Sequence, residues 1–170
     1  MTKQDILVRA VEPEDFEAFH DIHAQPKVIW GTAQMPYLSA AKWRARLANP
    51  SASDDHLQLV AEVAGRVVGA AGLMLETHSP RRKHAASLGI SVHDDFQGQG
   101  VGRTLMAALI EQADGWLNLR RVDLRVYTDD HGAIALYRQF GFEVEGTLRD
   151  HAFREGHFVD AYMMARLNAG

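Results

Sequence analysis

Three glycines fall within the six residues Gln97-Gly98-Gln99-Gly100-Val101-Gly102. Before them runs the apolar string Leu88-Gly89-Ile90-Ser91-Val92. After them comes the helical spacing of Val101, Leu105, Ala108, Leu109, Ala113 and Trp116. Glycines at a strand-to-helix turn leave backbone N–H groups uncovered by side chains, and those amides stand at the positive end of a helix. Such a turn can hold phosphate groups; the same string also serves as a plain tight turn. A P-loop would need Lys-Ser/Thr after its glycines, and Arg103-Thr104 follows Gly102 at the wrong spacing. A dinucleotide turn belongs near the first strand of a βαβ unit, with an acid about 20 residues on. Here the turn lies halfway along the chain. The pyrophosphate of coenzyme A is the third ligand with this chemistry.

The elements that must position this turn can be read from pattern. Ile6-Leu7-Val8-Arg9 predicts a first strand, and Glu12-Pro13-Glu14-Asp15 opens a helix carrying Phe16, Phe19, His20 and His23 that Pro26 ends. Residues 27–38 form a connection rich in large side chains, and Ser39 caps a second helix through Trp43 and Leu47 that stops near Asn49-Pro50. Strands follow at 57–63 and 67–75 around a hairpin at Ala64-Gly65, then at 84–92. The glycine-turn helix runs from Val101 to about Leu117. Beyond it come an alternating strand at 122–126, a short helix at 133–140 ended by Gly141, and closing strands at 143–146 and 158–167. The pattern is α+β, with a mostly antiparallel sheet whose central strand feeds the ligand-gripping helix.

Bulk properties narrow the partners. The 170 residues suit one domain spanning 1–170, and the net charge of -4 argues against a nucleic-acid partner. Arg81-Arg82-Lys83 reads as a solvated hairpin end. Zero cysteines exclude disulfides, thiolate catalysis and cysteine-ligated zinc. Met1-Thr2-Lys3-Gln4-Asp5 lacks a signal peptide's apolar stretch and no later run could span a bilayer, so a soluble cytoplasmic protein with no membrane partner is expected. The nine histidines include His20 and His23 on one helix and His151 and His157 near the C-terminus, but none joins a carboxylate cluster of zinc-site density. No metal is expected.

With the second string Ala133-Ile134-Ala135-Leu136-Tyr137-Arg138-Gln139-Phe140-Gly141-Phe142, the chain resembles the GNAT superfamily of N-acetyltransferases. That family's acetyl-CoA motif, Gln/Arg-x-x-Gly-x-Gly/Ala, is matched by Gln97, Gly100 and Gly102. Its later motif is matched by Leu136-Tyr137 and Gly141-Phe142, and Gly156-His157-Phe158-Val159-Asp160-Ala161-Tyr162-Met163-Met164 looks like the last strand of the branch acting on amino acids and antibiotics. The resemblance covers nearly the whole chain. It implies the GNAT fold: a mixed, mostly antiparallel central sheet flanked by helices and splayed at the cofactor-binding strand.

The resemblance also implies roles. Acetyl-CoA is the co-substrate, and the amides of Gln97, Gly98, Gln99, Gly100, Val101 and Gly102 face its pyrophosphate. Val101 packs beneath the turn, and Arg103 either adds charge or is a solvated helix arginine. Ile90, Ser91 and Val92 pair with the pantetheine arm, and a backbone N–H near Val92 polarises the thioester carbonyl. Tyr137 stands where the family's tyrosine protonates the leaving thiolate; a packing tyrosine is the alternative. Ser87 occupies a position where many members carry an acid, so His84 becomes the candidate base, with a solvated strand-end histidine as the plain alternative. Asp130 replaces an asparagine that bonds the pantetheine arm, which puts that contact in question. Trp30, Met35 and Tyr37 suit an apolar acceptor lining or serve as core plugs. Together with His23-Ala24-Gln25-Pro26, Pro80-Arg81-Arg82 and Arg154-Glu155-Gly156, these features look similar to bacterial L-amino-acid N-acetyltransferases. Phosphinothricin-type and protein N-terminal acetyltransferases are the alternatives, and a non-catalytic acyl-CoA sensor is the rival of another class. Strand edges near the C-terminus would suit a homodimer.

Overall fold

Ala64 and Gly65 both take positive φ, 49° and 80°, the turn whose twist matches that of two paired strands. They join β2 (His56–Val63) to β3 (Arg66–Leu75), and β1 (Ile6–Ala10) pairs antiparallel with the outer side of β2. The computed structural model describes residues 5–49 and 54–169. Residues 1–4 and Pro50, read above as a leaderless start and a helix stop, lie outside the described residues.

On its other side β3 pairs antiparallel with β4 (Ala85–Val92) along that strand's whole length except its first residue, from Gly69 opposite Val92 to Leu75 opposite Ala86. The next strand, β5 (Arg121–Tyr127), runs parallel to β4 and meets it only where Ala85, Ala86 and Ser87 face Arg121, Val122 and Asp123. Beyond β5 lie β7 (His157–Leu167) and then β6 (Glu143–Arg154), both antiparallel to their neighbours. The order is therefore β1-β2-β3-β4-β5-β7-β6. The expected α+β sheet, mostly antiparallel and splayed at one strand, is the one found. β6 extends well beyond the predicted 143–146 because most of its residues are exposed, so no apolar alternation marks it.

Helices cover both faces. A short 3₁₀ turn at Pro13–Asp15 leads into α1 (Phe16–His23), and α2 (Pro26–Gly31) and α3 (Ala40–Leu47) follow. Pro26 therefore does more than end α1: it is the first residue of α2, where a missing N–H leaves no intrahelical bond unmade. Ser39 caps α3 as expected, its Oγ accepting from the Lys42 amide at 3.4 Å. These three helices bury Phe19, Ile22, Val28, Trp43 and Leu47 against Val60, Val67 and Ala70. The opposite face carries α4 (Val101–Gly115) and α5 (His131–Gln139), with Leu105, Met106 and Leu109 fully buried against Val68, Leu73, Val122 and Leu124. Full burial of such side chains stabilises by about 1.5–3 kcal/mol each. Among the described residues no helix is long and apolar enough to cross a membrane.

The first turn of α4 sits on a glycine. Pairing between β2 and β3 passes from Ala61–Gly69 to Glu62–Val67, so Val68 is an extra, bulged residue, and Gly69 turns to α4. A Cβ at Gly69 would lie 2.9 Å from Val101 Cγ1 and 3.0 Å from Leu105 Cδ1. Both side chains are buried, and Val101 is stiff at χ1. Gly69→Ala should destabilise the fold by about 2 kcal/mol through overpacking, read as a lower urea midpoint; an unchanged midpoint would show that α4 is not seated by this contact.

Candidate active site

Past Ser87, β4 has no strand on its β5 side. The His93 amide donates to Val68 O at 2.8 Å, which fixes the alternation of this ladder. Ser91 turns its amide toward β3, and Ile90 and Val92 turn theirs into the opening. Val92 also turns its carbonyl there, where Gln97 Nε2 donates to it at 3.0 Å. In this structure the Gln97 side chain thus straps the glycine turn to the end of β4.

Gly98 and Gly100 take φ of 72° and 91°, and Gly100 is the left-handed N-cap of α4 with no side-chain cap. Among the described residues no acceptor takes the amide protons of Gly98, Gly100, Gly102 or Arg103. They are the orphan donors expected at a helix start. A Cβ at Gly102 would come within 3.3 Å of Leu136, so α5 closes the far side of the turn. Between them lies a cavity of about 470 Å³ lined by Ile90, Ser91, Val92, Gly98, Gly100, Gly102, Arg103, Asp130 and Tyr137. Val101 is 1% exposed, in the core as expected, and Gln99 binds Asp95 O through its side chain; neither lines the cavity.

The donor set suits acetyl-CoA. Free amides and Arg103 surround one end of the cavity for phosphates, and the outward amides of Ile90 and Val92 offer partners to an amide-bearing arm. Lys27 and Arg125 add positive charge. Among the described residues Asp130 is the one carboxylate in the lining, and its Oδ1 accepts from the Ala133 amide at 3.0 Å, capping α5.

A second cavity of about 460 Å³ opens on the α1–α3 side, walled by Phe19, His23, Trp43, Leu73 and Ser87. The two share Gly31, Thr32, Ile90, Ser91, Arg125 and Tyr137. Tyr137 is buried between them. Burial, and then the nearby Asp130 carboxylate, push its phenol well above the ordinary value of 10, so it holds its proton. In the second cavity His23 stacks on Trp43, ring centroids 4.4 Å apart, and its Nδ1 bonds the Phe19 carbonyl at 2.8 Å. A carbonyl only accepts, so Nδ1 carries the hydrogen and Nε2 is the free basic nitrogen. Burial and the charge of Arg46 hold this imidazole below the ordinary histidine value.

Several expected residues stand elsewhere. His84 is exposed at the far end of β4, six residues before Ile90, hence about 20 Å from it, and it lines neither cavity. A strand keeps its two ends apart, so His84 is not the base of this site. Trp30 does not line the second cavity; the Arg154 guanidinium lies 3.9 Å over its ring while bonding Asp129. Met35 is 71% exposed and Tyr37 fully so, and neither lines either of these two cavities. The carboxylate missing at Ser87 stands on the neighbouring strand: Ser87 Oγ donates to Asp123 Oδ1 at 2.9 Å, in direct register. In the sequence Phe19 and His23 stand at helical spacing on the first helix, Trp43 on the second, and Arg125 within the alternating strand at 122–126. Their apolar spacing was a signal for burial, not for a cavity. Among the described residues no group of three or more His, Cys, Asp or Glu could hold a metal ion.

The family profile described as Acetyltransferase (GNAT) family matches residues 16–142. The chain is 42% identical over 163 residues to L-amino acid N-acetyltransferase AaaT of Escherichia coli (strain K12), covering 96% of this chain and 98% of that one. It is 34% identical to phosphinothricin N-acetyltransferase of Alcaligenes faecalis over 96% of this chain and 83% of that one. Among solved structures, a GNAT-family acetyltransferase from Streptococcus pneumoniae aligns with a TM-score of 0.82 at 26% identity, over 96% of this chain and 99% of that one.

Two measurements probe this geometry. Gly100→Ala forces an alanine into a left-handed conformation at the mouth of the amide cradle and should raise the calorimetric Kd for coenzyme A by about 10-fold; an unchanged Kd would remove the turn from the binding site. His23 has a folded pKa below its unfolded value of about 6.5, so the unfolded chain takes up the proton first. Its contribution to stability is complete above that value and is lost as pH falls toward the lowered one. The drop in Tm from pH 7 to 5 should be smaller in His23→Gln than in the wild type, and an equal drop would contradict the burial of this ring.

Proposed function

The chain belongs to the GNAT acetyltransferase family, and on that premise we propose that it moves the acetyl group of acetyl-CoA to the primary amine of an amino acid or close analogue. The observation that carries this reading is Tyr137, a phenol kept protonated at the junction of two cavities. One cavity is lined by phosphate-holding amides, and the other is walled by aromatic and aliphatic side chains. AaaT is named for L-amino acids, and 42% identity along nearly the whole of both chains supports the same class here. A cytoplasmic setting goes with a metabolite donor of this kind.

Acetyl-CoA supplies a thioester whose carbonyl carbon is open to attack. The outward amide of Val92 donates to the carbonyl oxygen as charge develops there, a contribution of about 3–4 kcal/mol when a donor is well aimed. A carbon–nitrogen bond forms, the carbon–sulfur bond breaks, and the departing thiolate takes its proton from Tyr137. The proton shed by the amine goes to His23, whose Nε2 has no hydrogen-bond donor among the described residues; His23 takes the role first assigned to His84. Asp130 keeps α5 capped, and so holds Tyr137 in place about two turns further along that helix.

Thiol release from acetyl-CoA with a panel of L-amino acids tests the reading. Turnover is expected with apolar amino acids, and Tyr137→Phe should lower kcat about 100-fold with the coenzyme A affinity retained. Tight coenzyme A binding without turnover of any amine would favour a non-catalytic sensor, and full activity of Tyr137→Phe would take the acid role from this residue.

A further inference from the structure

Arg125 lies midway along β5, opposite Met163 of β7. Its neighbours Leu124 and Val126 enter the core beneath α4, so Arg125 projects from the other face of the sheet, where Asp123 and Tyr127 flank it. Three other arginines of β5, β6 and β7 are held by carboxylates: Arg121 binds Asp123 and Glu145, Arg154 binds Asp129, and Arg166 binds Asp114. Arg125 has no ion pair, side-chain hydrogen bond or ring partner among the described residues. Asp123, the nearest acid along its strand face, is already held by Arg121 and Ser87.

Arg125 is among the residues that line both cavities. Among the described residues no aspartate or glutamate lines the acceptor cavity, and His23 there is neutral at pH 7. The acceptor space therefore presents one permanent, uncompensated positive charge beside an aromatic wall. An amine delivered to the thioester must sit at that same junction. In an α-amino acid the carboxylate hangs from the carbon that bears the amine, so it comes to the junction too. A planar guanidinium takes both carboxylate oxygens at once, which fixes orientation as well as affinity.

We propose that Arg125 receives the α-carboxylate of the acceptor, selecting amines with a negative charge on the same carbon and rejecting polyamines. The inference rests on the acetyltransferase reading and narrows its substrate to α-amino acids with free carboxylates. Phe19, Trp43 and Leu73 then face the side chain, which favours apolar or aromatic ones.

The test compares L-phenylalanine with L-phenylalaninamide, and both with spermidine, in the wild type, Arg125→Gln and Arg125→Lys, with coenzyme A affinity measured by calorimetry. The wild type should prefer the free acid and leave spermidine unacetylated. Arg125→Gln should reduce the preference for acid over amide by about 10- to 100-fold, chiefly through KM for the acid, and Arg125→Lys should recover part of it. The proposal fails if Arg125→Gln keeps the wild-type preference, or if coenzyme A binding weakens by the same factor as turnover, which would make Arg125 a cofactor residue. A wild type that acetylates amines but favours the amide or spermidine also overturns it while leaving the acetyltransferase reading intact. A wild type that acetylates no amine overturns that underlying reading instead.

Discussion

A parallel strand pair that stops after three residues leaves backbone donors without partners in the middle of a sheet, and the site is built on that gap. β4 and β5 part after Ser87 and Asp123, and the amides of Ile90 and Val92 then face open space instead of a ladder. Buried amides normally find partners because leaving one unmade costs about 1–3 kcal/mol. Here the gap widens into a cavity that water or a ligand can enter, so the donors stay solvated until something more specific replaces the water. The same opening lets the two faces of the sheet communicate, which an uninterrupted sheet would prevent.

What holds the gap open is packing on either side. The bulge at Val68 turns Gly69 beneath Val101 and Leu105, which sets the first turn of α4 hard against β3 and aims its free amides across the cavity. α5, capped by Asp130 and ended by Gly141, carries Tyr137 into the wedge, where its ring contacts Phe142 at a centroid distance of 6.0 Å. The α1–α3 layer closes the other face with Phe19, His23 and Trp43. Charge is distributed to match: cations and free amides line the cavity beside the glycine turn, Arg125 lines both cavities, and among the described residues no carboxylate lines the cavity on the α1–α3 side.

That the glycine turn and Tyr137 wall one cavity was legible in the sequence because both motifs are local. Gly98, Gly100 and Gly102 adjoin in the chain, and Tyr137 stands at a fixed helical spacing from Gly141, so motif and geometry coincide. The acceptor half depends on which strands and helices are brought face to face, and short-range pattern does not carry that. His84 looked suitable by its chemistry, yet strand geometry sends it to the far end of β4. Trp30, Met35 and Tyr37 looked like a lining because they are large; instead Trp30 became a plate for Arg154, while the other two face solvent. His23 and Arg125 were hidden for opposite reasons, one inside an apolar helical stripe and the other as a single polar step along a strand. Only the splay, a tertiary feature, brings them to one place.

On the proposed reading the outward edge of β4 is the docking edge for the acetyl-CoA arm. Amide hydrogen exchange followed residue by residue, with and without saturating acetyl-CoA, tests it directly. Ile90 and Val92 should gain at least about 10-fold protection on binding, while Ser91, already bonded to β3, should change little. Saturated binding that leaves Ile90 and Val92 exchanging as fast as in the free protein would contradict the account.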